Sequence, residues 1–329
     1  MADFLSAVFE KYASGLIFRR NLKGGGGGTG GALSEQVENG EKQFGMCEGE
    51  SVKPTQITLE TLDFSALRKG QGHKYDHGHA LIVSGDAGRT GASRLAARAA
   101  LRTGAGAVTL AVPPAAAAEV AAQITALMQT PMADAAALAD TLKDDRISAV
   151  CIGPGLGRDP AHAALVGAVL RSGKACVLDA DALTLIARHD DLRALLGDHC
   201  VLTPHGGEFS RLFPDTPDLS PVDQCHRAAQ NTGAVVLLKG ATTVISHPDG
   251  RVALHQATGE RAVPWLATAG AGDVLAGIIT GLVARGQTPF DAARYASWLH
   301  VEAARLFGPG LIAEDLVEKL PDVFRQLVL

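Results

Sequence analysis

The stretch HALIVSGDAGRTGASRLAARAALRTGAGAVTLAVP, from His79 to Pro113, decides the fold of this chain. Two nearly continuous apolar runs, at 79–85 and 107–112, enclose a glycine-rich turn and an alanine-rich segment long enough for a helix. Strands that are apolar along their whole length are buried on both faces, which is typical of a parallel sheet covered by helices. The stretch therefore predicts a strand, a helix and a second, parallel strand.

The same alternation continues along the chain. Further apolar runs predict strands at 148–153, 175–180, 200–204 and 234–239, each separated from the next by a helix-length segment. In TTVISHPDGRVALHQ (242–256), two strands flank a Pro-Asp-Gly turn, a pattern that suits an antiparallel hairpin. We expect one three-layer α/β domain, with a mostly parallel central sheet flanked by helices and a late antiparallel hairpin.

The N-terminal part of the chain has a different texture. Residues 1–53 are predicted to be a flexible extension without a catalytic role, and residues 54–329 to be the functional domain. Apolar residues at helical spacing predict a short amphipathic helix within 1–23. The run GGGGGTGG (24–31) that follows is typical of a flexible linker.

Composition narrows the class of function. A net charge of −5 with 20% charged residues gives no basic surface, so nucleic acid is not an expected partner. No apolar run approaches the ~18–20 residues of a membrane span, and the N-terminus lacks a signal-peptide pattern. The five cysteines are scattered, with no CxxC pair and no histidine cluster at zinc spacing. We expect a cytoplasmic protein that does not bind membranes.

Polar or glycine-rich segments follow five predicted strands, where open α/β sheets bind their ligands. Each also has an ordinary structural explanation: Asp179 or Asp181 could cap a helix, and His205 could be satisfied within a tight turn. Lys239 could simply extend its ammonium group into solvent. Their shared position at one edge of the sheet favours a ligand site. The segments are GDAGRTGAS (85–93), GPGLG (153–157), DADAL (179–183), TPHGGE (203–208) and KGATT (239–243).

The segment TAGAGDVLAGII (268–279) gives the strongest chemical prediction. Apolar residues at helical spacing follow Asp273, so a helix begins near Gly270. Unpaired amides and the helix dipole favour an anion there, and the glycines let phosphate oxygens approach the backbone. A carboxylate beside phosphate needs a purpose, such as accepting a proton from the hydroxyl group that attacks phosphorus. Asp273 is therefore the predicted base, although it could instead cap a structural helix.

These motifs, in this order, resemble one family. TAGAGDVLAGIITGL looks like the anion-hole and catalytic-base motif of the ribokinase-like superfamily. The sequence from 73 to 113, GPGLG, VLDADAL, TPHGGEFSRL and LKGATTVI are similar to motifs of ADP/ATP-dependent NAD(P)H-hydrate dehydratases. The resemblance spans roughly residues 54–320. It implies dehydration of the S epimer of NADHX or NADPHX to NADH or NADPH, coupled to hydrolysis of ADP or ATP.

The resemblance also implies a role for each group of residues. Asp273 would deprotonate the C6 hydroxyl group of the hydrate, while an anion hole stabilises the transferred phosphoryl group. Mg²⁺ would accompany the nucleotide, with protein ligands left unassigned, and bacterial members mostly use ADP. The anion hole would be Gly270, Ala271 and Gly272; the nucleotide would contact Lys239, Gly240, Ala241, Thr242, Thr243 and Gly272; the hydrate would contact Ala92, Gly155, Gly157, His205 and Asp273.

This sequence departs from the family pattern at several positions. Ala271 replaces the usual serine of GSGD, and Gly206 replaces the proline that usually follows the TPH histidine. Tyr75-Asp76-His77 stands where Gly-Asp-Phe is common, which leaves the contacts there unassigned. Because 53 residues cannot form the epimerase domain often fused upstream, we expect a dehydratase without that domain, as a homo-oligomer.

Two other functions share part of this pattern. A ribokinase-like kinase of a vitamin precursor would use Asp273 and the anion hole, but would leave GPGLG and TPHGGE without an assigned role. A non-catalytic nucleotide-binding regulator would need the fold but no base, so Asp273 argues against it.

Overall fold

The computed structural model describes residues 53–216 and 219–327. The predicted helix within 1–23, the glycine linker at 24–31 and nearly all of the predicted extension lie outside these residues. The domain boundary after residue 53 therefore stays a prediction.

The strands of the described residues form one sheet of ten. All six strands predicted from apolar runs are present, each within about two residues of its expected bounds. In chain order they are β1 (Thr55–Gln56), β2 (His79–Val83), β3 (Ala107–Val112), β4 (Met128–Pro131), β5 (Ile147–Ile152), β6 (Ala175–Leu178), β7 (Cys200–Leu202), β8 (Val235–Leu238), β9 (Thr242–Ser246) and β10 (Val252–Gln256).

Helices occupy most of the segments between the strands. The helix after β2 and the helix that begins at Ala271 match the sequence expectation. The α-helices are α1 (Gly91–Arg102), α2 (Ala117–Ala121), α3 (Ala135–Thr141), α4 (Pro160–Arg171), α5 (Asp181–Ile186), α6 (Asp190–Arg193), α7 (Gly206–Leu212), α8 (Pro221–Thr232), α9 (Ala271–Ala284), α10 (Pro289–Phe307) and α11 (Ala313–Gln326).

The sheet has the order β1-β10-β9-β8-β7-β6-β5-β2-β3-β4. The strands from β8 to β4 in this order are parallel, and β9 is antiparallel to both β8 and β10. The predicted hairpin at 242–256 is thus confirmed. Two edge strands, β1 and β4, were not predicted; β1 has only two residues, and β4 is mostly exposed and ends in Pro131.

Two buried layers cover the sheet. One face packs against α1, α9, α10 and α11, with Leu282 and Leu299 among its fully buried side chains. The other packs against α3, α4, α5, α7 and α8, with Leu183 and Phe209 buried. This is the predicted three-layer α/β architecture.

The order of the strands creates a switch point between β2 and β5. From β2 the chain runs outward through β3 and β4, and then returns to the other side of β2 at β5. The loops that leave β2 and β5 therefore diverge toward helices on opposite faces, α1 and α4. Such divergence opens a crevice at the carboxyl ends of the strands, where ligands of this class of fold bind.

Helices α1 and α9 pack with their backbones in close contact. A Cβ atom built on Gly277 would lie 2.2 Å from the carbonyl oxygen of Ala96, and one built on Gly281 would lie 2.6 Å from that of Ala100. From the first contact to the second, the residue number rises by four in each helix. The two helices are therefore parallel, and their N-termini lie at the same end of the sheet. Four residues earlier in each helix, Ala92 and Asp273 are expected to lie beside each other.

We expect Gly277→Ala to destabilise the protein by about 1–3 kcal/mol, because the added methyl group must force α1 and α9 apart. Gly91→Ala is the matched control: it begins α1, and its Cβ would meet no atom within 4 Å. Chemical denaturation of both variants measures the difference. Equal stability of Gly277→Ala and the wild type would contradict the close packing.

Candidate functional site

Asp273 lies in the first turn of α9 and its side chain is half-buried. Gly270 precedes the helix with φ +88°, a left-handed conformation that turns the chain sharply into α9. Among the described residues, no group donates a hydrogen bond to the Asp273 carboxylate. The carboxylate is thus available to an external proton donor.

The start of α9 also presents unpaired backbone donors. The amide of Ala271 makes a long bond of 3.4 Å to the carbonyl of Thr268, and the amide of Val274 bonds Gly270 at 3.0 Å. The amides of Gly272 and Asp273 have no acceptor among the described residues. Free N–H groups and the helix dipole at such a terminus favour an anion. The anion hole at Gly270, Ala271 and Gly272 stays a prediction, to which the free amide of Asp273 adds a further donor.

A buried ion pair lies beside this helix terminus. Lys239 Nζ donates to Asp179 Oδ1 at 2.7 Å, and Thr203 Oγ1 donates to the same oxygen at 2.8 Å. The side chains of Asp179 and Lys239 are 3% and 20% exposed. A Cβ atom on Gly272 would lie 3.4 Å from Lys239 Nζ, so the ammonium group faces the free amides of α9. The solvent-exposed alternative for Lys239 is therefore wrong.

The electrostatics make Asp273 a competent base near neutral pH. Burial raises the pKa of Asp273 from its usual 3.8 to about 6, the carboxylate of Asp179 adds to the increase, and Lys239 opposes it. A base works best when its pKa lies close to the working pH. The pKa shift therefore has two physical causes, partial burial and a like charge, which are typical of functional carboxylates.

Asp179 and Asp181 leave β6 in different directions. Ala180 between them has φ +48° and ψ −114°, a conformation that favours glycine and costs an alanine about 1–3 kcal/mol. Asp181 Oδ2 accepts a hydrogen bond of 3.0 Å from the amide of Gly157 and pairs with Arg158. Helix α5 has no side-chain cap. The capping alternative for Asp179 and Asp181 is wrong, because both carboxylates face neighbouring loops.

His205 begins α7 as a capping residue. Its Nδ1 accepts a hydrogen bond of 3.0 Å from the amide of Gly207, and Glu208 Oε2 accepts one of 2.9 Å from the amide of His205. The turn thus satisfies Nδ1, in agreement with the structural alternative, while 57% of the side chain stays exposed. A backbone bridge joins His205 to Lys239, whose amide donates to the carbonyl of Pro204 at 2.8 Å.

The predicted nucleotide segment connects β8 to β9. Lys239 is paired with Asp179, whereas Gly240, Ala241 and Thr242 are exposed at the edge of the sheet. Thr243 Oγ1 donates to the carbonyl of Gly240 at 3.1 Å, which holds the turn in shape. The segment therefore offers an exposed backbone next to a buried cation.

Three of the five predicted hydrate-binding residues, Ala92, Gly155 and Gly157, lie at the switch point between β2 and β5. A Cβ atom on Gly155, which has φ +65°, would lie 3.4 Å from Cβ of Ala92. Gly157 lies against the ring of His162 and is held by Asp181. A cavity of about 500 Å³ adjoins this loop, lined by residues that include Ser84, Asp86, Asp134 and His162.

Sequence reasoning missed a supporting histidine. His300 of α10 is buried, and its Nε2 lies 2.9 Å from the carbonyl oxygen of Ala271. Burial lowers the pKa of His300 to about 4, so the ring is neutral at pH 7 and Nε2–H donates to that carbonyl. The contact fixes the peptide at the start of α9. No signal in the sequence joins two residues that meet only through helix packing.

Contacts at the carboxyl edge link the predicted segments in the order of the strands. The loop after β2 touches the loop after β5, which in turn touches Asp179. Asp179 bonds Thr203 and Lys239, and Lys239 faces α9.

A second cavity, of about 850 Å³, lies beside β10 and is lined by none of the predicted site residues. None of the described helices is both long and apolar enough to cross a bilayer.

Comparison with known proteins identifies the family of this chain. The sequence profile of the NAD(P)H-hydrate dehydratase family matches residues 80–321. The bifunctional NAD(P)H-hydrate repair enzyme Nnr of Moorella thermoacetica is 44% identical over 279 residues, which are 79% of this chain and 52% of that protein. The Salinibacter ruber protein of the same name is 37% identical over 324 residues, 92% of this chain and 59% of that protein. This chain thus spans between half and three-fifths of these relatives.

Solved structures show the same fold. The ADP/ATP-dependent NAD(P)H-hydrate dehydratase of Bacillus subtilis, co-crystallised with ATP and Mg²⁺, superposes with a TM-score of 0.66 and 26% identity, covering 79% of this chain and 93% of that one. A ribokinase-like superfamily protein of Enterococcus faecalis superposes with a TM-score of 0.71 at 22% identity, covering 80% and 95%. The ribokinase-like expectation for the fold is confirmed.

Proposed function

Because this chain belongs to the NAD(P)H-hydrate dehydratase family, we propose that it repairs damaged nicotinamide cofactor at the site around Asp273. The reaction is dehydration of the S epimer of NADHX or NADPHX, coupled to hydrolysis of ADP or ATP. One observation carries the proposal: the carboxylate of Asp273, with a pKa of about 6, accepts no hydrogen bond from the described residues and lies beside an ammonium group and two helix amides that those residues leave free.

The proposed reaction uses this arrangement in two steps. Asp273 accepts the proton of the C6 hydroxyl group as that oxygen attacks the terminal phosphorus of the nucleotide, and the shortened nucleotide leaves. Phosphate is a far better leaving group than hydroxide, so it then departs from C6, and loss of a C5 proton forms the C5–C6 double bond. The amides of Gly272 and Asp273 stabilise charge on the transferred group.

We place the nucleotide on the segment from Lys239 to Thr243. Its exposed backbone can receive the nucleoside, while Lys239 Nζ faces the phosphate position at Gly272. The second substrate belongs at the switch point, over Ala92, Gly155 and Gly157, with the exposed edge of His205 between the two. The adjoining cavity of about 500 Å³ gives room for part of the dinucleotide.

The residues present also fit Mg²⁺ carried by the nucleotide. Magnesium is usually held by one or two carboxylates plus substrate phosphates. Asp179 Oδ1 is occupied by Lys239 and Thr203, whereas Oδ2 accepts no hydrogen bond from the described residues. Asp179 would therefore hold the ion, which when bound would neutralise charge on the phosphates.

We assign the dehydratase reaction alone to the described residues, and not the second activity that the word bifunctional implies for the relatives. ADP is the donor that we favour. The rival function is a ribokinase-like kinase of a vitamin precursor. It would account for Asp273 and α9, but not for the loop held by Asp181 at the switch point.

We expect each turnover to yield one NADH or NADPH, one free phosphate and a nucleotide shortened by one phosphate. The test is to incubate the purified protein with NADHX, Mg²⁺ and ADP or ATP, and to measure all three products in one reaction. A phosphorylated product that accumulates without free phosphate would identify a kinase instead. Nucleotide that binds but is never cleaved, with NADHX unchanged, would identify a regulator.

A further inference from the structure

Two cysteines face each other at the amino ends of two central strands, whose carboxyl ends lie at the proposed active site. Cys176 of β6 and Cys200 of β7 are paired residues of neighbouring parallel strands, and both are fully buried. Their Sγ atoms are 3.6 Å apart. The amide of Cys176 donates to the carbonyl of His199 at 2.8 Å, which locks this pairing. The two thiols thus occupy fixed positions in a rigid part of the fold.

His199 completes a cluster with these cysteines. One ring nitrogen of His199 and the two sulfur atoms all lie within 4.8 Å of one another. Nε2 of His199 is buried and has no hydrogen-bond partner among the described residues. Nδ1 lies 3.9 Å from Asp198 Oδ1. That distance is too long for a hydrogen bond, so the unpaired, buried Nε2 is the feature that leaves His199 able to bind a metal.

We propose that Cys176, His199 and Cys200 form a zinc site. Zinc binds thiolate at about 2.3 Å and imidazole at about 2.0–2.1 Å, so two sulfurs of a tetrahedral centre lie about 3.8 Å apart. The separation of 3.6 Å is close to this value. Two thiolates neutralise the divalent ion, which suits a buried position. The His199 side chain is 27% exposed, so a fourth ligand from solvent can complete the coordination.

The other described cysteines show that burial alone does not make such a site. Cys225 Sγ lies 3.2 Å from the carbonyl oxygen of Val236 and 3.6 Å from that of Val244, and no metal-binding cluster of the described residues includes it. Cys151 is likewise buried and outside the cluster. Sequence spacing could not reveal the proposed site, because Cys176 joins the other two residues only through strand pairing.

The zinc site is structural in this proposal. It clamps the amino ends of β6 and β7, whose carboxyl ends carry Asp179 and Thr203. Cys176 and Asp179 are three residues apart, which is about 10 Å along a strand. The site is thus too distant to act on substrate, but it holds the strands that place these two side chains. The proposal does not depend on the dehydratase function.

The test uses the full chain without an affinity tag, stripped with a chelator and titrated with Co²⁺ under reducing conditions. We expect one Co²⁺ per chain, with the near-ultraviolet absorption of cobalt thiolate and the visible bands of tetrahedral cobalt. Zinc should displace these bands and raise the thermal midpoint. No cobalt thiolate absorption would overturn the proposal, as would a disulfide between Cys176 and Cys200 that forms in preference to metal binding.

Matched variants locate the ligands. Cys176→Ala and His199→Ala should lower cobalt affinity more than about tenfold, whereas Asp198→Asn, whose exposed carboxylate makes no hydrogen bond to His199, should keep the wild-type affinity. Cys225→Ala is the control and should keep the wild-type spectrum. Because the His199 side chain is partly exposed, His199→Ala keeps the test decisive if Cys176→Ala fails to fold. A wild-type spectrum in both His199→Ala and Cys176→Ala would refute the assignment.

Discussion

Asp273→Asn is expected to lower turnover by ~10²–10⁴-fold, the usual contribution of a positioned base. The amide is nearly isosteric with the carboxylate but cannot accept the proton of the C6 hydroxyl group. Nucleotide binding should change little, because the helix amides and Lys239 stay in place. Turnover close to that of the wild type would rule out Asp273 as the base. Asp140→Asn, at an exposed position of α3, is the control for the chemical change.

The pH dependence of turnover in the wild type and in Asp273→Asn gives an independent test of the base. In the wild type, kcat/KM should rise as pH increases through about 6, because Asp273 must be ionised to accept a proton. The residual activity of Asp273→Asn should lack that step. A wild-type profile without a transition near pH 6 would contradict the raised pKa.

Stability should change in the opposite direction to activity. The folded pKa of Asp273 lies above its unfolded value, so its favourable contribution is complete below about pH 4 and is lost as pH rises through about 6. At pH 8 the ionised carboxylate therefore costs the fold about 1–3 kcal/mol, and Asp273→Asn should be more stable by that amount. Denaturation at pH 8 and pH 4 measures the gain, which should shrink at the lower pH.

Lys239→Met is expected to destabilise the protein by about 3–5 kcal/mol, because it leaves the buried carboxylate of Asp179 without its counter-ion. The double variant with Asp179→Asn should recover much of this loss, since no unpaired charge is then buried. Lys143→Met is the control; it removes an exposed ion pair and should change stability by less than about 1 kcal/mol.

Lys239→Met should also move the catalytic pH profile. Lys239 lowers the pKa of Asp273, so its removal should raise the midpoint of kcat/KM above pH 6 while weakening nucleotide binding. An unchanged midpoint in a folded variant would show that the ammonium group does not act on Asp273. A double variant no more stable than Lys239→Met would show that Asp179 bears no buried charge.

The architecture was predictable because most of its strands are buried on both faces and are therefore apolar throughout. β4 escaped prediction for the converse reason: its side chains are exposed and its pairing with β3 is a backbone interaction. The position of Asp273 at the start of α9 followed from helical periodicity, which depends only on local sequence.

The partners of the site residues were less predictable, because they depend on contacts between distant segments. From the sequence, Asp179 could be a helix cap; only the pairing of distant strands shows that Lys239, at the end of β8, lies beside it. From the sequence, His300 is an ordinary residue of a helix; only the packing of α10 against α9 brings it to the carbonyl of Ala271. The edge of the sheet was therefore foreseeable, whereas the pairing of charges along it was not.

Because of the turn at Ala180, we expect the two proposed substrates to bind with linked affinities. Asp179 and Asp181 are separated by one residue in a restrained conformation, and they hold Lys239 on one side and the amide of Gly157 on the other. A nucleotide that draws Lys239 toward its phosphates would weaken the contact between Lys239 and Asp179. The turn at Ala180 connects Asp179 to Asp181, which holds the loop at Gly157 where we place the hydrate. Linkage then requires each ligand to change the affinity of the other by the same factor. Calorimetric titration of each ligand into Asp273→Asn, which should bind both without rapid turnover, with and without the other ligand should give two equal affinity ratios different from one; ratios of one would show that the turn does not couple the two sites.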